Sequence, residues 1–186
     1  RAPPETPPIQ TMTFGDSIIQ YVSLHDNAPH MFAIYQLIAQ SGLLCFLGLS
    51  EGKPIRGAID IAWAVELKPG HLYGAAPVKA YEYESEVAGY PRVVVSPRTI
   101  QYLQAHIQHQ QPDQMRQLQA NTAKKCLAFL GSDWDGYAFV DYLNKEFRDT
   151  ISQEEAGKVY RPANEYVRRQ LAKHQACPRL CAVIFD

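Results

Sequence analysis

The sequence has almost no net charge, no block of like charges and few cysteines. Its 186 residues include 18 lysines and arginines against 19 aspartates and glutamates, which leaves a formal net charge of −1. Bulk electrostatics therefore do not favour nucleic acid or an anionic membrane as a partner. The four cysteines follow no disulfide framework and no signal peptide is evident, so we expect reduced thiols and a cytoplasmic protein.

The motifs of several enzyme and metal-site classes are also missing. No Gly-x-Ser-x-Gly occurs, and Pro54 stands where a phosphate-binding loop would continue its Gly-Lys pair with Ser or Thr. Near the end of the chain, His174, Cys177 and Cys181 supply only three potential zinc ligands at a non-standard spacing. These absences exclude the common serine-hydrolase and P-loop signatures and disfavour a zinc site.

Two further patterns have ordinary interpretations. Asp133 and Asp135 resemble the start of a calcium loop, but no glutamate follows at the required distance, so a loop capped by aspartate is favoured. The stretch from Met31 to Leu49 is uncharged and long enough to suggest a membrane span. Gln36 and Gln40 interrupt it, and no aromatic belt or flanking basic cluster accompanies it. We expect this stretch to be a buried core or interface helix.

Proline content and helical pattern divide the chain into three parts. Residues 1–10 are rich in proline, cannot pack as a helix or central strand, and are predicted to be a linker. We therefore expect the chain to be a piece of a longer protein. Residues 11–149 are predicted to form one domain, and residues 150–186 are predicted to form a helical C-terminal extension.

Hydrophobic periodicity and turn residues predict an α+β fold. The predicted elements are, in chain order, two strands within 9–24, a helix from about Asn27 to Gly48 or Gly52, a strand over 55–67, a helix over 75–88, a strand over 92–96, and helices over 97–109 and 152–174. The stretch 108–121 is left open between an exposed helix and a loop. Because strands and helices alternate, helices should cover one or both faces of a mixed sheet.

Gly15-Asp16 lies at the tip of the first predicted hairpin. A carboxylate at a hairpin tip is exposed and rigidly aimed, as a Mg²⁺ or Mn²⁺ ligand must be. A type I′ turn also favours aspartate beside glycine. By itself, therefore, the pair indicates a turn more than a metal site.

Four blocks occur in order along the first half of the chain. They are the hairpin at Gly15-Asp16, the strand Arg56-Gly57-Ala58-Ile59, the loop Tyr73-Gly74 that enters an alanine-rich helix, and the strand Arg92-Val93-Val94-Val95-Ser96. Together they resemble the class III nucleotidyl cyclases over roughly residues 11–103. The variants Arg-Gly-Ala-Ile and Tyr-Pro-Arg-Val, with the later Asp-Trp-Asp-Gly-Tyr at 133–137, look more like a bacterial branch. That branch includes the pyrimidine cyclases of anti-phage Pycsar signalling.

The resemblance implies a fold, a reaction and a cofactor. The implied fold is a ferredoxin-like mixed sheet flanked by helices, in two subunits that pair head to tail with sites at their interface. In this family two aspartates hold two Mg²⁺ or Mn²⁺ ions. The ribose 3′-hydroxyl attacks the α-phosphate of a nucleoside triphosphate, and pyrophosphate leaves. The implied partners are thus a nucleoside triphosphate and a second copy of the chain.

The resemblance also implies which residues bind the metal and the base. Asp16, preceded by Gly15, matches the second metal aspartate, whereas the first should lie on a strand upstream of Arg1. Met12 and His71 stand where purine cyclases of this family read the base with Lys or Glu and with Asp. The loss of both purine readers favours UTP or CTP as the substrate.

Other family positions are also altered. Val78 and Glu82 stand where the family has the Asn that orients the ribose and the Arg that stabilises the transition state. Pro97 takes the place of the triphosphate lysine. The cations left for a triphosphate are Arg56, Lys79 and Arg98.

Three hypotheses remain open from the sequence. The first is a metal-dependent nucleotidyl cyclase that makes a cyclic pyrimidine nucleotide as an antiviral signal. The second is a catalytically degenerate, cyclase-like nucleotide-binding or regulatory module, which Val78 and Glu82 favour. The third is an unrelated α+β protein that shares a Gly-Asp hairpin.

Overall fold

Strands and helices alternate along the chain, which is a mixed α/β structure. The computed structural model describes residues 7–24, 30–108, 114–149 and 153–174. In chain order the elements are β1 (Gln10–Phe14), β2 (Ser17–Tyr21), α1 (His30–Ser50), β3 (Gly57–Ile59), β4 (Ala64–Lys68), β5 (His71–Gly74), α2 (Ala75–Glu82), β6 (Val93–Val95), α3 (Pro97–Gln108), α4 (Gln114–Ala128), β7 (Leu130–Ser132), β8 (Ala138–Val140), α5 (Lys145–Arg148) and α6 (Gln153–His174). A π-helical turn at Tyr83–Val87 continues α2.

The predicted hairpin around Gly15-Asp16 is present. β1 and β2 pair antiparallel with Phe14 opposite Ser17, so the connection is a two-residue turn. Gly15 has a φ of 62°, and no non-glycine residue of the described ranges has a positive φ. The turn therefore has the pattern of type II′, whose first central residue is glycine, and not that of the type I′ turn named above.

A four-stranded mixed sheet organises the core. Its order is β3-β6-β8-β7, with β3 and β6 parallel and the other neighbours antiparallel. Val93, Val94 and Val95 of β6 are all buried, which confirms the predicted buried strand. Side chains from α1, α3 and α4 join Val93 and Val95 in one apolar cluster. β1–β2 and β4–β5 form two separate small sheets.

The single strand predicted over residues 55–67 is wrong. The chain forms β3 and β4 with a break between them, because Asp60 turns to accept a hydrogen bond from the Ser96 hydroxyl. β4 then pairs antiparallel with β5. The sequence does not reveal this break, since a hydrophobic pattern does not show where a strand changes partner.

α1 is the long apolar helix that the sequence predicts as a core element. Its inner face buries Met31, Ile34, Ile38, Cys45 and Phe46. Among the described residues it is the one helix long and apolar enough to cross a membrane. It packs against α4, α6 and the main sheet.

The ends of the helices follow local sequence signals. α1 is closed by Gly52, where the Gly52 and Lys53 amides donate to the Leu49 and Gly48 carbonyls in a Schellman arrangement. This confirms one of the two predicted helix ends, while Asn27 at the predicted start lies outside the described residues. The stretch 108–121, for which the sequence left both a helix and a loop possible, is helical from Gln114 onward. In the predicted C-terminal extension, α6 runs through Pro162 and packs on α1.

Candidate functional site

Asp16, the predicted metal ligand, lies at the exposed tip of the β1–β2 hairpin. Met12 pairs with Ile19 in the same hairpin. Within the described ranges, no group of three or more His, Cys, Asp or Glu side chains is arranged to hold a metal ion. One exposed carboxylate supplies too few ligands for Mg²⁺ or Mn²⁺.

One hydrogen bond joins the base of this hairpin to the β4–β5 hairpin. The Tyr21 hydroxyl donates to Glu66 Oε1 at 2.7 Å, and the Gly70 amide donates to the same oxygen at 2.9 Å. These bonds lower the pKa of Glu66, with the Tyr21 bond contributing most. Asp16 lies five residues before Tyr21, about 17 Å away along an extended strand. The tip thus lies well away from this joint.

A polar cluster lies where the parallel strands β3 and β6 end. Asp60 follows β3, and Ser96 follows β6 and precedes α3. The Ser96 hydroxyl donates to Asp60 and accepts from the Thr99 amide at 3.2 Å, so it caps α3. The crevice beyond the carboxyl ends of parallel strands is a common ligand-binding place in α/β sheets.

Arg98 is the predicted site residue that the fold brings to this cluster. Its Nη1 donates to the Ile61 carbonyl at 3.3 Å and lies 3.7 Å from Asp60 Oδ2. The Asp60 side chain is only 1% exposed, and its Oδ2 has no hydrogen-bond partner among the described residues. Half of the Arg98 side chain remains exposed. Arg98 therefore partly neutralises a buried carboxylate and still presents its guanidinium to solvent.

Lys79 and Glu82 of α2 form an ion pair, and Arg98 is close enough to Lys79 for the two positive charges to interact. Lys79 Nζ lies 2.6 Å from Glu82 Oε2. The hydrogen bond to Glu82 raises the pKa of Lys79, and the nearby positive charge of Arg98 opposes that rise. Glu82 therefore neutralises one of these two cations.

Arg56 and His71 lie elsewhere in the fold. Arg56 precedes β3 and pairs with Glu84 of the π-helical turn. It lies four residues before Asp60, about 13 Å away along an extended strand. His71 is exposed at the start of β5, opposite Lys68. The predicted cations therefore do not converge within one chain, since only Lys79 and Arg98 lie together.

A second enclosed charged group is Arg92, which the sequence interpretation did not single out. Its side chain is 4% exposed and its Nη1 donates to Asp133 at 2.7 Å. Nη2 donates to Asp135 and to the Val87 carbonyl, and Nε donates to the Ala88 carbonyl. The sequence contains a signal for this network, because an arginine at the start of a buried valine strand needs anionic partners.

The hydrogen bonds of Asp133 and Asp135 show that the β7–β8 turn is an aspartate-capped loop. Asp133 also accepts from the Trp134 amide at 2.8 Å, and Asp135 accepts from the Tyr137 amide at 3.1 Å. These are the bonds of the predicted aspartate-capped loop. Both carboxylates face a cation of the protein itself, so the turn is not arranged to bind calcium.

The described cysteines have no catalytic character. Cys45 and Cys126 are buried, and burial raises their pKa values to about 11 and about 12. Thiols of that kind are not nucleophiles at neutral pH. His174 ends α6, whereas Cys177 and Cys181 lie outside the described residues.

No family model, no curated protein and no solved structure matches this chain.

Proposed function

We propose that the chain belongs to a metal-dependent nucleotidyl cyclase of the class III type. It would convert a nucleoside triphosphate, UTP or CTP, to a 3′,5′-cyclic nucleotide and pyrophosphate, as an anti-phage signal in the cytoplasm. The observation that carries the proposal is the ordered set of four motifs around Gly15-Asp16, Arg56-Gly57, Tyr73-Gly74 and Arg92-Val93.

The local structure of those motifs supports the proposal. The Gly15-Asp16 turn closes a hairpin and leaves its carboxylate exposed. Gly74 has a φ of 126° and lies against the backbone of Trp63 and Ala64, where a side chain would collide. The backbone geometry at the entry to α2 therefore requires glycine.

Among the described residues β3 has a neighbour on one edge only, and this supports the finer, ferredoxin-like topology. The Gly57 amide donates to Arg92, and the Ser96 amide donates to Ile59, so these β3 residues face β6. In a parallel ladder, the backbone groups of the intervening Ala58 point to the other edge. We propose that a strand preceding Arg1, with the first metal aspartate, pairs there and reaches the β1–β2 hairpin.

A site shared by two copies, which the resemblance implies, is part of the proposal. Asp16 lies on the hairpin, Arg98 lies at the carboxyl ends of the parallel strands, and Lys79 lies on α2. A triphosphate needs metal ligands and cations at one place. Pairing of two copies would let the Asp16 of one copy face the Arg98 cluster of the other.

One observation favours the degenerate binding or regulatory module as a second candidate. Glu82 stands where the resemblance places the transition-state Arg. It forms an ion pair with Lys79, so it also neutralises a positive charge that could otherwise face a triphosphate. Such a site would bind a nucleotide without stabilising the developing charge of the reaction. The two candidates predict the same binding and different turnover.

Turnover by the protein with the residues that precede Arg1 separates the candidates. Each of the four common nucleoside triphosphates is incubated with Mn²⁺, and both pyrophosphate and cyclic nucleotide are measured. We expect release of pyrophosphate from UTP or CTP, with a matching amount of the cyclic product. Binding of a nucleotide without pyrophosphate release would favour the regulatory module, and neither binding nor turnover would contradict both.

A further inference from the structure

Arg98 is held by its carboxylate partner in a different way from Arg56 and Lys79. Those two cations lie within hydrogen-bond distance of a glutamate, at 2.5 Å and 2.6 Å. Arg98 Nη1 lies 3.7 Å from Asp60 Oδ2, which is an ion pair without a hydrogen bond. Within the described ranges, the guanidinium donates to the Ile61 carbonyl oxygen at 3.3 Å. Arg98 is therefore held near a carboxylate while most of its N–H donors stay free for a ligand.

Asp60 is fixed in place by the residues that cap α3. Its side chain is 1% exposed, and it accepts a hydrogen bond from the Ser96 hydroxyl. That hydroxyl also accepts from the Thr99 amide at 3.2 Å, and both Ser96 and Thr99 are fully buried. Asp60 Oδ2 has no hydrogen-bond partner in the described part of the chain. A buried carboxylate that lacks hydrogen bonds needs a nearby cation, so Asp60 attracts the Arg98 guanidinium.

We infer that Asp60 is a positioning residue, which holds the Arg98 guanidinium at the carboxyl ends of β3 and β6 for a polyphosphate. The Arg98 side chain is 54% exposed, whereas Asp60 is enclosed, so an anion from solvent meets the guanidinium and not the carboxylate. A long side chain loses rotamer entropy when a ligand fixes it. The attraction to Asp60 removes part of that cost before the ligand binds.

The chemistry around Arg98 suits phosphate oxygens. A planar guanidinium with free N–H groups can donate two parallel hydrogen bonds to a phosphate. Arg98 also lies in the first turn of α3, which begins at Pro97, and the amino end of a helix favours negative charge. The choice of a polyphosphate as the ligand rests on the proposed function, because the proposed substrate carries a triphosphate.

A double-mutant cycle separates positioning from a purely structural role of Asp60. The negative charge of Asp60 also repels an anionic ligand, and this repulsion acts whether residue 98 is arginine or glutamine. It therefore cancels when the effect of Arg98→Gln is compared between proteins with and without the Asp60 charge. If Asp60 positions Arg98, the contribution of Arg98 to ligand affinity depends on Asp60. If Asp60 only supports the fold, the two contributions are independent.

Calorimetric titration of the full chain with inorganic tripolyphosphate tests the inference. The proteins are the wild type, Asp60→Asn, Arg98→Gln and the double variant, with Arg169→Gln on the exposed face of α6 as the control. The fitted stoichiometry reports the folded fraction separately from the affinity.

We expect Arg98→Gln to weaken binding at least about 10-fold when Asp60 is present, the scale of one hydrogen bond to a charged group. In the Asp60→Asn protein the same change should weaken binding less than about 3-fold, because Arg98 is no longer held in place. Arg169→Gln should leave the affinity unchanged. Equal effects of Arg98→Gln in the two backgrounds, or no binding of tripolyphosphate by the wild type, would overturn the inference.

A second measurement needs no substitution and applies even where Asp60→Asn does not fold. NMR relaxation of the arginine Nε–H groups compares Arg98 with the exposed Arg169 in the wild type without ligand. We expect an order parameter above about 0.6 at Arg98 and below that value at Arg169. Equal mobility of the two groups would show that Asp60 does not hold Arg98.

These results are distinguishable from those that bear on the proposed function. Coupling of Asp60 and Arg98 in tripolyphosphate binding, without turnover of any nucleoside triphosphate, would contradict only the cyclase proposal. Turnover of a nucleoside triphosphate with independent effects of the two substitutions would contradict only the positioning role of Asp60.

Discussion

Arg92 joins Asp133 across 41 residues of chain, with Nη1 2.7 Å from the carboxylate. The same guanidinium donates to Asp135 and to two carbonyls at the end of the π-helical turn. The Tyr90 ring lies 4.4 Å from the guanidinium carbon. The pair thus fixes the end of the helical segment that begins with α2 against the β7–β8 turn.

Removal of the Arg92 charge should destabilise the fold severely. Arg92→Leu leaves two largely enclosed carboxylates without their cation, and we expect a loss of about 3–5 kcal/mol in the free energy of unfolding. Urea denaturation measures the change. Arg169→Leu on the exposed face of α6 is the matched control and should alter stability by less than about 0.5 kcal/mol. Similar effects of the two substitutions would contradict the structural role of Arg92.

The stability that Asp135 contributes should disappear at acid pH. The hydrogen bond from Arg92 lowers the pKa of Asp135, so the folded state favours its charged form. A lowered folded-state pKa gives stability that is present above the unfolded value of about 3.9 and is lost as the pH falls through the folded value. The difference in unfolding free energy between wild type and Asp135→Asn should therefore be constant near neutrality and shrink below about pH 4. A difference that stays constant into the acid range would contradict this linkage.

The entry to α2 should not tolerate a side chain. At Gly74, an added Cβ would lie 2.8 Å from the Ala64 Cα and 2.8 Å from the Trp63 carbonyl oxygen, and φ is 126°. We expect Gly74→Ala to lower the free energy of unfolding by at least about 2 kcal/mol. Gly157→Ala is the control, because an added Cβ there meets no atom within 4 Å inside α6. It should stabilise the protein by about 0.5–1 kcal/mol. A neutral Gly74→Ala would show that the loop relaxes freely.

The sequence predicted those features that short-range chemistry determines. The Gly15-Asp16 hairpin, the buried run at Val93 and the glycine end of α1 all depend on residues a few positions apart. The break at Asp60 involves Ser96, 36 residues away, and the ion pairs of the β7–β8 turn involve Arg92. Periodicity carries no information on such distant partners. For the candidate site, the sequence indicated Asp16 and Arg98 but not that Arg98 would lie 3.7 Å from the buried Asp60 carboxylate.

Dependence of turnover on Asp16 tests the central claim most directly. The protein with the residues that precede Arg1 is assayed for Mn²⁺-dependent formation of cyclic UMP or cyclic CMP. It is compared with Asp16→Asn and with Asp149→Asn, an exposed aspartate after α5 that serves as the control. We predict that Asp16→Asn lowers the rate at least about 100-fold and that Asp149→Asn leaves it unchanged. Equal turnover by all three proteins, or no turnover of any nucleoside triphosphate by the wild type, would contradict the claim.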